Sequence, residues 1–106
     1  MKLPPEIENK IDKLTMLCDK YKVNRMFVFG SVVKGNFNPA TSDVDFLVEI
    51  EDISPVEKGE KLMKFWSELE QLFARKVDLL TSHNIRNPYL KMEIENSKQL
   101  VYDRAG

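Results

Sequence analysis

The sequence predicts an α/β (α+β) fold, a small mixed sheet of three to four strands with about three helices on one face. Three observations carry this expectation. Short apolar runs that end at turn residues alternate with longer runs of helical period. Residues 43–50 alternate strictly, with Val44, Phe46, Val48 and Ile50 on one side and Asp43, Asp45, Leu47 and Glu49 on the other. Finally, Leu62, Phe65, Trp66, Leu69, Leu72 and Phe73 recur at three- and four-residue steps, which lays one apolar stripe along a helix.

The elements follow in order. Pro4-Pro5 opens a first helix, since proline is tolerated in the first turn, and Ile7, Ile11, Leu14, Cys18 and Tyr21 mark its buried side. Residues 25–29, rich in strand formers, end at Gly30 and are expected to form a buried strand. Residues 30–42 hold Gly30, Ser31, Gly35, Asn36, Asn38, Pro39, Thr41 and Ser42, a loop with room for one helical turn. The strand at 43–50 comes next. Ser54-Pro55-Val56-Glu57 is a capping box that starts the long helix. Residues 76–81 form a third strand, Asn87-Pro88 caps a last helix, and residues 99–103 supply an edge strand.

No linker, repeat or low-complexity tract divides the 106 residues, so they are expected to form one domain over 1–106. Sixteen basic and 17 acidic residues interleave to a net charge of −1, and Lys58, Lys61 and Lys64 sit among Glu57, Glu60 and Glu68. That is a solvated face rather than a phosphate track, so long nucleic acid is not an expected partner. Cys18 is the single cysteine, which excludes an internal disulfide and a cysteine-built zinc site; its place on the helical stripe makes it core. Apolar runs fall short of the roughly 20 residues of a membrane span, and MKLPPEIENK carries no signal stretch, so a cytoplasmic protein is expected.

Three features bear chemistry. Gly30-Ser31 closes a strand, where backbone amides and a hydroxyl can meet a phosphate, although the same dipeptide also serves as a plain turn. Asp43-Val44-Asp45 puts two carboxylates on one sheet face, against a wholly apolar opposite face. Carboxylates that close repel, and a hard cation such as Mg2+ or Mn2+ relieves them; the alternative is two exposed acids at a strand mouth. Asp78 lies inside Val77-Asp78-Leu79-Leu80 and faces opposite Val77 and Leu79. It either joins Asp43 and Asp45 or sits at an edge in solvent. Gly30 and Gly35 have Walker A spacing, but Asn36-Phe37 stand where Lys and Ser or Thr are required. His83 is expected on the surface, and Trp66 in the core.

GSVVKG at 30–35, SDVDFLVEI at 42–50 and KVDLLT at 76–81 together resemble the polymerase-β-like nucleotidyltransferase superfamily, and most closely its minimal nucleotidyltransferases, the MNT partners of HEPN proteins in toxin–antitoxin pairs. The resemblance implies a nucleotidyltransferase fold and the transfer of a nucleoside monophosphate, AMP from ATP in the simplest case. Asp43, Asp45 and Asp78 would be the catalytic residues and would hold two Mg2+ or Mn2+ ions. Gly30 and Ser31 would hold the triphosphate, with Lys34 and Ser42 as further nucleotide contacts. Lys34 stands where many relatives carry arginine, which keeps the charge but loses the bidentate fork. So small a domain has little left to build an acceptor pocket, which points to a hydroxyl on a partner protein; the resemblance implies that this partner is a HEPN toxin with a target tyrosine. Phe37 and Tyr89 are candidate anchors for that partner. The alternative is a non-catalytic antitoxin or assembly subunit that masks its partner by contact.

Overall fold

The computed structural model describes residues 3–30, 33, 43–51, 53–81 and 85–105. Ser31, Lys34, Phe37, Ser42 and His83 therefore lie outside the described residues.

The elements are α1 (Pro5–Glu8), α2 (Ile11–Lys20), β1 (Val23–Phe29), β2 (Val44–Ile50), α3 (Pro55–Phe73), β3 (Val77–Thr81), α4 (Pro88–Ser97) and β4 (Gln99–Asp103). The sheet order is β3-β2-β1-β4. β1 runs antiparallel to β2 and to β4, and β2 runs parallel to β3 through the α3 crossover. Among the described residues no helix is long and apolar enough to cross a membrane.

One face of the sheet carries the main core. Val28, Val44, Phe46, Val48 and Val77 meet Ile7, Leu14 and Cys18 from α1 and α2, and Phe65, Leu69 and Phe73 from α3. Cys18 is fully buried against Met26, as its place on the stripe predicts, and burial pushes its thiol up to about 12. The first helix is interrupted: the amide of Lys10 turns back to the carbonyl of Ile7, and the chain restarts at Ile11 with the same face inward. β1 begins two residues earlier than expected because its ladder to β2 slips between Val23 and Arg25. That extra residue lets Val23 and Met26, three apart, both point into the core.

The last helix differs from the expected layering. α1, α2 and α3 share the main core face, but Ile94 of α4 is buried with Phe27, Phe29 and Leu47 on the other side of the sheet. Asp43 and Asp45 share parity with Leu47, so α4 partly covers the face that bears the acids. Trp66 also departs from the expectation of a core residue. It is 38% exposed, and its indole N–H donates to the carbonyl of Val77 at 2.6 Å.

Candidate active site

Gly30, Asp45 and Asp78 come together where β1 ends and β2 and β3 begin. Phe29 pairs with Asp45 across the β1–β2 ladder, and Asp45 pairs with Asp78 across the β2–β3 ladder. The parallel register makes the two aspartates direct neighbours, and period-two alternation turns both toward the α4 side.

The start of β3 is held by α3. Trp66 binds the carbonyl of Val77, the Glu70 carboxylate accepts the Val77 amide at 3.0 Å, and the Val44 amide reaches the carbonyl of Lys76 at 3.3 Å. Asp78 therefore follows a residue fixed at both its backbone groups. Ser54 caps the start of α3 by accepting from the Glu57 amide, as the capping box predicts. Neither the Trp66 nor the Glu70 contact was foreseen from the sequence, because both depend on how α3 folds back on the strand that follows it.

Gly30 has φ +83, in the left-handed region. A Cβ there would overlap Oδ2 of Asp45 and come within 3.2 Å of its Cγ. Glycine is thus required twice, for the backbone turn and for the approach of the carboxylate. The amide of Val33 closes the turn on the Gly30 carbonyl at 3.1 Å.

Burial, a hydrogen bond with Asp78, and the charges of Asp78 and then Asp43 push the Asp45 carboxyl up to about 7. The parallel register sets the two carboxylates side by side, and a divalent cation between them relieves that crowding. The sequence pointed to Asp43 as the main rival of Asp45; the geometry gives that part to Asp78. Among the described residues no three acidic, histidine or cysteine side chains are gathered closely enough to cage an ion by themselves. The donor set still fits a hard divalent cation, because Mg2+ is commonly held by one or two carboxylates and completes its shell with substrate phosphate and water.

The acids open into a cleft of about 310 Å³ whose far wall is α4, through Leu90, Glu93, Ile94 and Ser97, with Leu80 beside them on β3. The α4 residues escaped the sequence reading, which placed that helix on the other layer.

Residues 12–101 match the family described as the nucleotidyltransferase domain. The chain belongs to that family. It is 37% identical over 103 residues to a protein of Methanocaldococcus jannaschii named "putative protein adenylyltransferase", covering 96% of this chain and 99% of the relative. A solved structure called "putative minimal nucleotidyltransferase" superposes with a TM-score of 0.72 at 22% identity, over 92% of this chain and 95% of that one. A chain from a complex of a tri-AMPylated HEPN toxin with its MNT antitoxin, from Shewanella oneidensis, gives a TM-score of 0.57 at 19% identity, over 92% and 73%. At these identities the two structures speak for the nucleotidyltransferase fold. The close sequence relative and the family match make this chain a nucleotidyltransferase.

Proposed function

We propose that this nucleotidyltransferase moves AMP from ATP to a hydroxyl on a partner protein, using Mg2+ or Mn2+, two ions, at Asp43, Asp45 and Asp78. The observation that carries the reading is the Asp45–Asp78 pair beside Gly30, three strand ends joined at one cleft. The relative named for protein adenylylation supports AMP and a protein acceptor. The AMPylated toxin bound to an MNT antitoxin supports a HEPN toxin as partner and an antitoxin role for this chain.

In this reading Gly30 leaves the turn open for the triphosphate to approach the backbone, and Ser31, Lys34 and Ser42 add donors to it. The acceptor oxygen attacks the α-phosphorus, the bond from that phosphorus to the bridging oxygen breaks, and pyrophosphate leaves. Asp78 accepts the hydroxyl proton and passes it to solvent. When bound, the divalent ions supply charge that acidifies the acceptor hydroxyl and neutralises the leaving pyrophosphate. Asp43 and Asp45 hold position and charge, the main contributions a protein makes to such a transfer.

The test is co-expression with a candidate HEPN partner, followed by intact-mass measurement. The expected result is a partner heavier by one or more AMP units, and none with Asp43→Asn. A stable complex without a mass change would move the assignment to the masking antitoxin.

A further inference from the structure

The carboxyl pair occupies one end of its cleft, and the rest of the cleft has a different character. Leu80 from β3 and Leu90 and Ile94 from α4 make it apolar, and Glu93 stands beside them. No lysine or arginine is among the described residues that line it. Leu90 is 39% exposed, so this wall opens to solvent at its mouth.

We propose that the space between β3 and α4 is the acceptor subsite of the transferase, with Leu80 and Leu90 selecting an uncharged hydroxyl carried on an apolar stem. This rests on the reading of Asp45 and Asp78 as the transfer centre.

The order of the strands supplies the first argument. Gly30 follows the last residue of β1, and Asp45 and Asp78 are the second residues of β2 and β3, so the three form a row across adjacent strands. The triphosphate belongs at the glycine end, where the backbone can be approached. In-line displacement brings the acceptor oxygen in opposite the leaving pyrophosphate. That is the β3 end of the row, where Leu80 follows Asp78 on the same side of the strand.

Charge supplies the second argument. No lysine or arginine among the described lining residues stands in the apolar part to pair with an anion, so a neutral acceptor suits it better than a charged one. The lining suits a neutral apolar group whose tip reaches the acids, since few polar groups placed in an apolar cleft fix orientation. The chain path supplies the third. α4 links β3 to β4, which are opposite edges of the sheet, so the helix crosses one face, and burial of Ile94 with Phe27, Phe29 and Leu47 makes it the acid-bearing one. Ile94 pins it there, and Leu90, Glu93 and Ser97 fall at helical spacing along the cleft.

The subsite can be tested on the full chain by NMR with labelled leucine methyls and backbone amides. The acceptor probe is N-acetyl-tyrosinamide, its anionic control is the phosphorylated form, and the donor probe is α,β-methylene-ATP with Mg2+. The expected result is saturable shifts of the Leu80 and Leu90 methyls with N-acetyl-tyrosinamide in the presence of the donor probe, and none with the phosphorylated form. Leu90→Glu should weaken the acceptor probe about tenfold or more, the scale on which pocket contacts discriminate. Because Leu90 is partly exposed, the variant is expected to fold, and its amide spectrum reports this directly; Leu90→Gln is the milder second variant. Contacts from adenine protons to the Leu80 or Leu90 methyls would overturn the proposal and give the cleft to the base. So would leucine methyls that ignore the acceptor probe while the donor probe binds. A donor probe that moves neither Gly30 nor Asp45 is a separate outcome, which removes the transferase reading and the subsite with it.

Discussion

Asp45 is where the electrostatic cost of the site gathers, and the sign of that cost is measurable. Its carboxyl is raised from 3.8 to about 7 by burial and by Asp78 and Asp43. Between those values the folded chain binds more protons at this position than the unfolded chain, so stability falls as pH rises through the window from about 4 to 7. In EDTA the unfolding temperature should drop over that range, and Asp45→Asn should flatten the drop. Mn2+ with ATP should raise the wild type's unfolding temperature at pH 7 and fail to raise that of Asp45→Asn. A flat pH profile in the wild type would contradict the carboxyl pairing. Gly30→Ala should cost about 1–2 kcal/mol from the left-handed backbone alone, and more from the overlap with Asp45. Denaturant melts measure the cost, and a change of under about 0.5 kcal/mol would show the turn to be relaxed. Asp78→Asn should lower transfer on the order of 10³-fold while stability moves little, since Asp78 is exposed. Which side of its own strand each acid takes was legible in the sequence, because strand parity is local. The pairing of Asp45 with Asp78 was not, because parity names a face and leaves open which strand lies beside it.

The elements around the site differ in how well their patterns announce them. α3 was legible in its cap and in most of its stripe: Ser54 caps it and Phe65, Leu69 and Phe73 are buried, whereas Trp66, read with them, is partly exposed. α4 was legible as a helix, with Asn87 accepting from the Tyr89 and Leu90 amides, but its layer was not. Its apolar residues Tyr89, Leu90, Met92 and Ile94 point around the helix, so no single stripe identifies the side to be buried. Ile94 alone among them is buried, at 1% exposure. Ile94→Ala should therefore cost about 2–5 kcal/mol, as buried truncations do. Because the cluster under α4 is small, amide exchange in α4 should accelerate more than exchange in α3, whereas Leu69→Ala should accelerate both. Equal acceleration throughout the chain after Ile94→Ala would mean that α4 unfolds only with the whole. The interruption at Lys10 and the bulge near Asn24 escaped the sequence for a shared reason: both conserve the inward face, so the apolar pattern reads the same with or without them.

At the scale of the whole molecule, among the described residues, a four-stranded sheet is covered on one side by a large core and on the other by one helix. That asymmetry leaves the acids beside an open cleft and puts the outer side of α4 in solvent. Tyr89 and Met92, one helical turn apart, are 82% and 63% exposed there. Tyr89, expected as an anchor for a partner, does not pack on the core. Phe37, its companion in that expectation, lies outside the described residues. A large aromatic ring and a thioether side by side on a helix are typical anchors of a protein interface. In the proposed function, a partner docked on this side of α4 would present its hydroxyl at the mouth beside Leu90. The double variant Tyr89→Asp with Met92→Glu touches neither the core nor the cleft. It should leave unfolding free energy within about 0.5 kcal/mol. It should also weaken the partner complex at least tenfold, because anchor truncation commonly costs about 2 kcal/mol or more. Calorimetric titration of the partner, with donor-analogue binding measured in parallel, separates the two effects. If partner affinity holds while the donor analogue still binds, docking belongs elsewhere, and the exposed Val56 and Met63 along α3 become the surface to test.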